Sequence, residues 1–191
     1  MKRVFVCAGA NYAKNEKINK EAVLLGRKLA REGACYVQGG CQVGLMGLTL
    51  KGFMSRSSNF EIFVPEHYYR INCEGLNEIL GEYKDKITTT KGEGERLKRI
   101  IACDEIVVMP GGLGTLEELL YTNETKRALE HDKKITIVNI DGFYNGFLAQ
   151  IEQNKKEGLT LDEYLHFEVV SSVEELCFKD KNLGEENCEE K

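Results

Sequence analysis

Several signatures are missing from this chain, and each absence narrows what it can do. No apolar run approaches the roughly 20 residues that cross a bilayer, so neither a membrane span nor a membrane partner is expected. The opening MKRVFVCAGANYAKN holds an apolar stretch too short for a secretory leader. The seven cysteines are odd in number and no two are spaced CxxC. Several sit in strand-like apolar runs, where a thiol behaves as a small hydrophobe. A disulfide framework and a zinc knuckle are therefore not expected, and a reducing, cytoplasmic setting is. HExxH and GxSxG are both absent, which argues against a zincin and a nucleophile-elbow hydrolase. No metal site is expected. Net charge is −5 with no basic stripe, which argues against nucleic acid as a partner. A small anionic ligand stays open, because a site can be locally positive in an acidic chain.

What is present fits one enzyme-sized domain. A length of 191 residues suits a single unit, and 42% hydrophobic with 30% charged residues can fill a core and stay dissolved. Buried-type strands are read at Arg3–Ala8, Ala34–Gln38, Asn59–Pro65, Lys86–Thr90, Glu105–Met109, Lys134–Ile140 and Phe167–Ser171. Amphipathic helices are read near Ile18–Glu32, Gly44–Met54, Glu95–Cys103, Thr115–His131 and Phe143–Glu157, with short pieces at Leu76–Leu80 and Val173–Leu176. Apolar strands alternating with helices predict an α/β fold: a Rossmann-like, doubly wound, mainly parallel sheet in three α/β/α layers. One nucleotide-binding domain is expected over 1–178, with a flexible acidic tail over 179–191.

In open parallel sheets ligands bind beyond the carboxyl ends of strands, where helix N-termini present N–H groups and partial positive charge. Three junctions stand out. Ala8-Gly9-Ala10-Asn11 is either a place of close ligand approach or an ordinary tight turn. GGCQVGLMG, Gly39 to Gly47, holds four glycines. Two of them, Gly44 and Gly47, cost a helix roughly 1 kcal/mol each relative to alanine. Close helix packing or ligand approach would each account for them. VVMPGGLGTLEELL, Val107 to Leu120, places Gly111, Gly112 and Gly114 before Thr115, with Glu117 and Glu118 directly after. It is not GxGxxG, because Glu117 stands where the last glycine belongs, and no GK[ST] follows. It reads as an anion cradle of mononucleotide size. Two readings of the acids remain open. Thr115-Leu116-Glu117-Glu118 fits a capping box, with Glu118 bonding back to the helix start. Alternatively, Glu118 steadies a developing positive charge or activates water beside a bound phosphate.

GGCQVGLMG and PGGLGTLEE, at this separation, resemble the LOG ("Lonely Guy") family. These are cytokinin riboside 5′-monophosphate phosphoribohydrolases, long labelled lysine decarboxylases. The family's PGGxGTxxE is met in full by Pro110, Gly111, Gly112, Gly114, Thr115 and Glu118. Its GGGxxGLMG is met with Cys41 in place of the third glycine, and its CGSS is met in part by Ala8-Gly9-Ala10-Asn11. NIDGFYNGFLAQI also resembles a family segment, and the likeness runs from about Val4 to Glu157. The resemblance implies a homodimer, without cofactor, that hydrolyses the N-glycosidic bond of AMP or an N6-modified AMP to free base and ribose 5-phosphate. It implies Glu118 as the catalytic carboxylate, and substrate contacts at Gly9, Ala10, Gly40, Gly44, Met46, Gly111, Gly112, Gly114 and Thr115. The family's arginine, counted back from Asp104, falls on Glu95. Arg96 or Arg99 is expected to replace it, unless the role is missing or both belong to a solvated helix face. A non-catalytic nucleotide or cofactor carrier of the same fold is the alternative. An interaction module with a vestigial site would leave the glycine loops unexplained. Leu116, Leu119, Leu120, Asn123 and Arg127 mark a contact surface along the long helix.

Overall fold

The computed structural model describes residues 1–70 and 81–178. The expected helical piece at Leu76–Leu80 and the 179–191 tail lie outside the described residues. Seven parallel strands form one sheet, in the order β4-β3-β2-β1-β5-β6-β7. They are β1 (Arg3–Cys7), β2 (Cys35–Gln38), β3 (Phe60–Pro65), β4 (Ile87–Thr90), β5 (Glu105–Val108), β6 (Lys134–Val138) and β7 (Glu168–Val170). The helices, numbered in chain order, are α1 (Glu16–Arg31), α2 (Gly44–Met54), α3 (Glu66–Arg70), α4 (Glu93–Ile101), α5 (Leu113–Arg127) and α6 (Asn145–Lys156). Among the described residues no helix is long and apolar enough to cross a membrane.

Strand alternation builds two cores, one on each face. Val4 and Val6 of β1 join Leu25 and Leu29 of α1, Phe53 of α2 and Tyr36 of β2. Phe5 and Cys7 point the other way and join Leu97 and Ile100 of α4, Leu119 of α5 and Ile137 of β6. Helices therefore cover both faces, as the continuous apolar strands require. Cys7, Cys35 and Cys103 all belong to the second core. Burial pushes the Cys35 thiol up to about 11 and the Cys103 thiol up to about 12. Such thiols stay protonated and pack as hydrophobes.

Chain direction around the sheet reverses between β1 and β5, which pair in parallel at the centre. That reversal opens a crevice at the carboxyl ends of these two strands, the usual ligand position in such folds. α1 and α2 pack closely, and glycine makes this possible. A Cβ on Gly26 of α1 would collide with the Thr49 carbonyl oxygen and lie 2.6 Å from the Phe53 amide nitrogen.

Both boundaries of α5 differ from the sequence expectation. α5 starts at Leu113, ahead of Thr115, because Gly112 takes the cap position with extended backbone. It stops at Arg127, short of His131. The His131 ring folds back, its Nε2 lying 3.0 Å from the Thr122 carbonyl oxygen. Gly26→Ala should lower stability by about 2 kcal/mol, because the obstructing atoms are backbone and the helices must separate. Gly146→Ala in α6 meets no atom within 4 Å and should be neutral or slightly stabilising. Denaturant titration of both variants checks the contrast, and equal midpoints would refute it.

Candidate active site

Three loops are knitted together at the crevice by backbone bonds. The Gly9 amide donates to the Pro110 carbonyl at 3.1 Å, and the Gly9 carbonyl accepts from the Leu45 and Met46 amides at 2.9 and 3.2 Å. Gly9 is needed there, since a Cβ would stand 3.3 Å from the Gly111 Cα. The two first-turn amides of α2 are thus occupied within the protein. Gly44, at φ +64, presses against the Ala10 backbone. Its freedom serves the loop junction, and it lines neither cavity described below.

The N-terminus of α5 is arranged differently. No side chain caps it. The sides of Gly112 and Gly114 where a Cβ would project are open, with no atom within 4 Å. Gly111 sits against the Thr115 side chain, which is buried. The first-turn amides and the helix dipole therefore face a cavity of about 370 Å³. Gly9, Ala10, Met46, Arg96, Gly111, Gly112, Gly114, Thr115 and Glu118 all border it, as does Phe143, which is 48% exposed. A second cavity of about 310 Å³ shares Ala10, Met46, Arg96 and Gly114 with the first. Gly40 borders the second. The two form adjoining lobes of one cleft.

Glu118 is 6% exposed, one helical turn below Thr115. Its Oε1 accepts from Arg96 Nη1 at 2.5 Å, and Arg96 Nε donates to Glu93 at 2.6 Å. The capping-box reading of Thr115 and Glu118 is therefore replaced. Thr115 is the third helical residue and Glu118 pairs with a cation 22 positions upstream. A buried carboxylate needs such a partner to stay ionised. Burial pushes the Glu118 carboxyl up from its ordinary value, and Arg96 and the Cys7 thiol offset only part of this. Burial also opposes the Arg96 charge, yet Glu118 and Glu93 outweigh it and hold the guanidinium firmly protonated. The partners point in opposite directions. The Glu118 shift is the one that matters chemically, since arginine does not deprotonate in proteins.

Arg96 is thus the arginine that reaches the cavity. Arg99 lies elsewhere, 3.5 Å from Glu95 and stacked over the Phe63 ring at 5.6 Å. Glu95, where the family count places an arginine, bonds the Lys91 amide. Sequence reasoning missed Gly39, Cys7, Glu93 and Tyr144. A Cβ on Gly39 would stand 2.6 Å from Arg96 Nη1, so glycine clears the path to Glu118. The Tyr144 hydroxyl donates to the Met109 carbonyl at 2.7 Å and ties the Phe143 turn to the end of β5. The aromatic pair in GFYNGF was the available signal for that anchor.

A groove of about 530 Å³ lies on the outer side of α5 and α6, lined by Leu120, Arg127 and Tyr164 among others. Of the expected contact surface, Leu120, Asn123 and Arg127 border this groove. Leu119 is fully buried in its own core, Leu116 is half-buried, and the buried Asn123 side chain bonds the Tyr164 carbonyl and the His166 amide. Among the described residues no group of three or more His, Cys, Asp or Glu side chains could hold a metal ion.

Comparison with known proteins bears on the family and the fold. A family model described as "possible lysine decarboxylase" matches residues 38–179. Cytokinin riboside 5′-monophosphate phosphoribohydrolase LOG3 of Arabidopsis thaliana is 30% identical over 157 residues, covering 82% of this chain and 71% of the relative. Its Oryza sativa subsp. japonica counterpart LOG is 29% identical over 163 residues, covering 85% and 65%. Across such relatives the chain spans 60% to 71% of their length. Among solved structures, the molybdenum cofactor carrier protein of Chlamydomonas reinhardtii superposes with a TM-score of 0.62 at 16% identity, covering 90% of this chain and 91% of the other. The molybdenum cofactor binding protein of Rippkaea orientalis gives 0.62 at 20% identity, covering 91% and 92%. Identities this low establish a shared fold alone. The sequence matches reach further, and on them the chain belongs to the LOG family, the group whose model carries the lysine decarboxylase description.

Proposed function

We propose that the protein hydrolyses the N-glycosidic bond of adenine-type nucleoside 5′-monophosphates, AMP or N6-modified AMP, releasing free base and ribose 5-phosphate. One observation carries this reading: a buried carboxylate, paired with an arginine, lies one turn beyond an open helix N-terminus in the same cavity. The amides at Gly112–Thr115 take the 5′-phosphate. Holding that end fixes the anomeric carbon near Glu118, and positioning lowers the barrier by itself. As the bond to the base breaks, the sugar gains oxocarbenium character. The Glu118 carboxylate stabilises that positive charge and orients the attacking water. Arg96 keeps Glu118 ionised in its buried setting and limits its repulsion of the phosphate.

The decarboxylase description finds no support in the cleft. A pyridoxal phosphate enzyme needs a Schiff-base lysine, and among the described residues no lysine borders either lobe. The likeness to cofactor carriers favours a second reading, a non-catalytic nucleotide or cofactor carrier. The buried Arg96–Glu118 pair speaks against it, since binding a dianion gains nothing from an added carboxylate. A homodimer belongs to the same proposal by family resemblance, and a cytoplasmic location by the seven cysteines without CxxC spacing. Light scattering of the purified protein should give twice the 21.6 kDa chain mass.

Incubation with AMP and N6-isopentenyl-AMP should release base and ribose 5-phosphate, measured by chromatography. Glu118→Gln should reduce kcat by about a hundredfold or more while circular dichroism shows the fold retained. Binding of these nucleotides without any turnover would select the carrier. The pH profile follows from the raised Glu118 carboxyl. The anion is the working form, so protonation removes activity. The rate should fall as pH drops through a pKa above the ordinary carboxylate range, and level off on the alkaline side. A profile flat down to the ordinary carboxylate range would remove Glu118 from this role.

A further inference from the structure

Besides the start of α5, two other loops border the first lobe. The loop from β1 to α1 contributes Asn11 and Ala13, and the loop from β6 to α6 contributes Phe143. Asp141 ties these two loops together. Its carboxylate accepts from Lys17 Nζ at 2.7 Å on one oxygen and from Asn15 Nδ2 at 2.9 Å on the other. Asn15 is held from both sides, because its Oδ1 also accepts from the Lys17 amide and caps α1. Ala13 is fixed to α1 as well: its amide and its carbonyl both bond the Asn19 side chain at 2.9 Å. Asp141 has φ +49, a left-handed backbone that residues other than glycine rarely adopt.

We propose that Asp141 is a positioning residue of the site: by clasping Lys17 and Asn15 it holds Phe143 and Ala13 at the rim of the first lobe, where they enclose the phosphate and sugar of a bound nucleotide. This rests on the proposal above that the lobe takes that part of the substrate. Folding stability does not account for the clasp. The Asp141 and Lys17 side chains are 42% and 56% exposed, and an ion pair so exposed adds little to stability. A strained backbone held by so weak a bond points to the shape of the turn as its purpose. Lys17 and Asn15 hold the Asp141 carboxyl below its ordinary value, so the clasp is charged at neutral pH. The half-exposed Phe143 lies between two anchors, the clasp before it and the Tyr144 hydroxyl bond to the Met109 carbonyl after it. Without the first anchor the ring is free to leave the rim. The α5 amides then still meet the phosphate, but the lobe loses a wall. A rim ordered in advance binds more tightly than one the ligand must order.

The test titrates ribose 5-phosphate calorimetrically into the wild-type protein, Asp141→Asn and Lys17→Met, with thermal melts to confirm each fold. Asparagine tolerates the left-handed backbone, and its amide turns one of the two acceptors into a donor facing Lys17 or Asn15. The clasp predicts that both variants bind about threefold to fivefold more weakly, and that the double variant is no weaker than the weaker single one. Charge acting through space predicts opposite signs, since Asp141→Asn removes a negative charge near a dianion and Lys17→Met removes a positive one. Tighter or unchanged binding by Asp141→Asn would overturn the clasp, as would a wild-type protein that does not bind ribose 5-phosphate. With AMP as substrate, the loss in Asp141→Asn should fall on KM more than on kcat. Absence of AMP turnover by the wild-type protein would remove the hydrolytic reading, and the titration would still decide the clasp.

Discussion

The ion pair between Arg96 and Glu118 is the constraint around which the cleft is arranged. A carboxylate buried on the floor of a cavity is costly, and it persists as an anion only with a partner at contact distance. That partner comes from α4, and it can arrive only because residue 39 has no Cβ. Glu93 holds the guanidinium from the other side. α4, α5 and the loop after β2 are therefore locked together by one charge cluster. Weakening any member exposes the others to an uncompensated charge. The floor is rigid for electrostatic reasons, whereas the loops above it are rigid for a different one. There the Gly9 backbone serves three bonds at once, two of them to α2 amides.

Two helix N-termini meet at this crevice, and only one is open to a ligand. The first amides of α2 are consumed by the Gly9 carbonyl. The first amides of α5 have no capping side chain and face the cavity. Glycine serves a different purpose at each. Gly44 permits a left-handed backbone against Ala10, and Gly112 and Gly114 leave room where side chains would otherwise stand. A dense glycine pattern thus divides into residues that shape the protein and residues that leave space for something else.

That division limits what the sequence alone reveals. The order of strands and helices is legible because apolar runs and 3.6-residue periodicity report burial directly. The seven strands and the three-layer arrangement follow from them. The uncapped, open start of α5 is legible because three glycines ahead of Thr115 exceed any turn's need. The role of Glu118 is not decidable locally, because Thr115-x-x-Glu118 also satisfies a capping box. Only the position of Gly112 at the cap excludes it. Arg96 and Arg99 look alike in sequence, since both lie on a polar-looking helix. At 100° per residue they sit only about 60° apart around the axis, yet one reaches into the cleft and the other lies across Phe63. Gly39 stands out in the sequence only as one of the four glycines of GGCQVGLMG, and its purpose is legible only beside the guanidinium it makes room for.

Chemistry and selectivity draw on different parts of this fold. The Arg96–Glu118 pair sits on α4 and α5 at the central reversal of the sheet, where the family's strongest motif lies. The walls of the second lobe come mainly from the ends of β2 and β3, from α3, and from the start of α4. In this chain that region supplies Cys41 in place of a glycine and places Glu93 and Glu117 beside Tyr68. Under the proposed hydrolysis an oxocarbenium-like sugar makes the same demand of the first set whatever base departs. The second set is free of that demand, so the charge lining the far lobe can change while the buried pair stays.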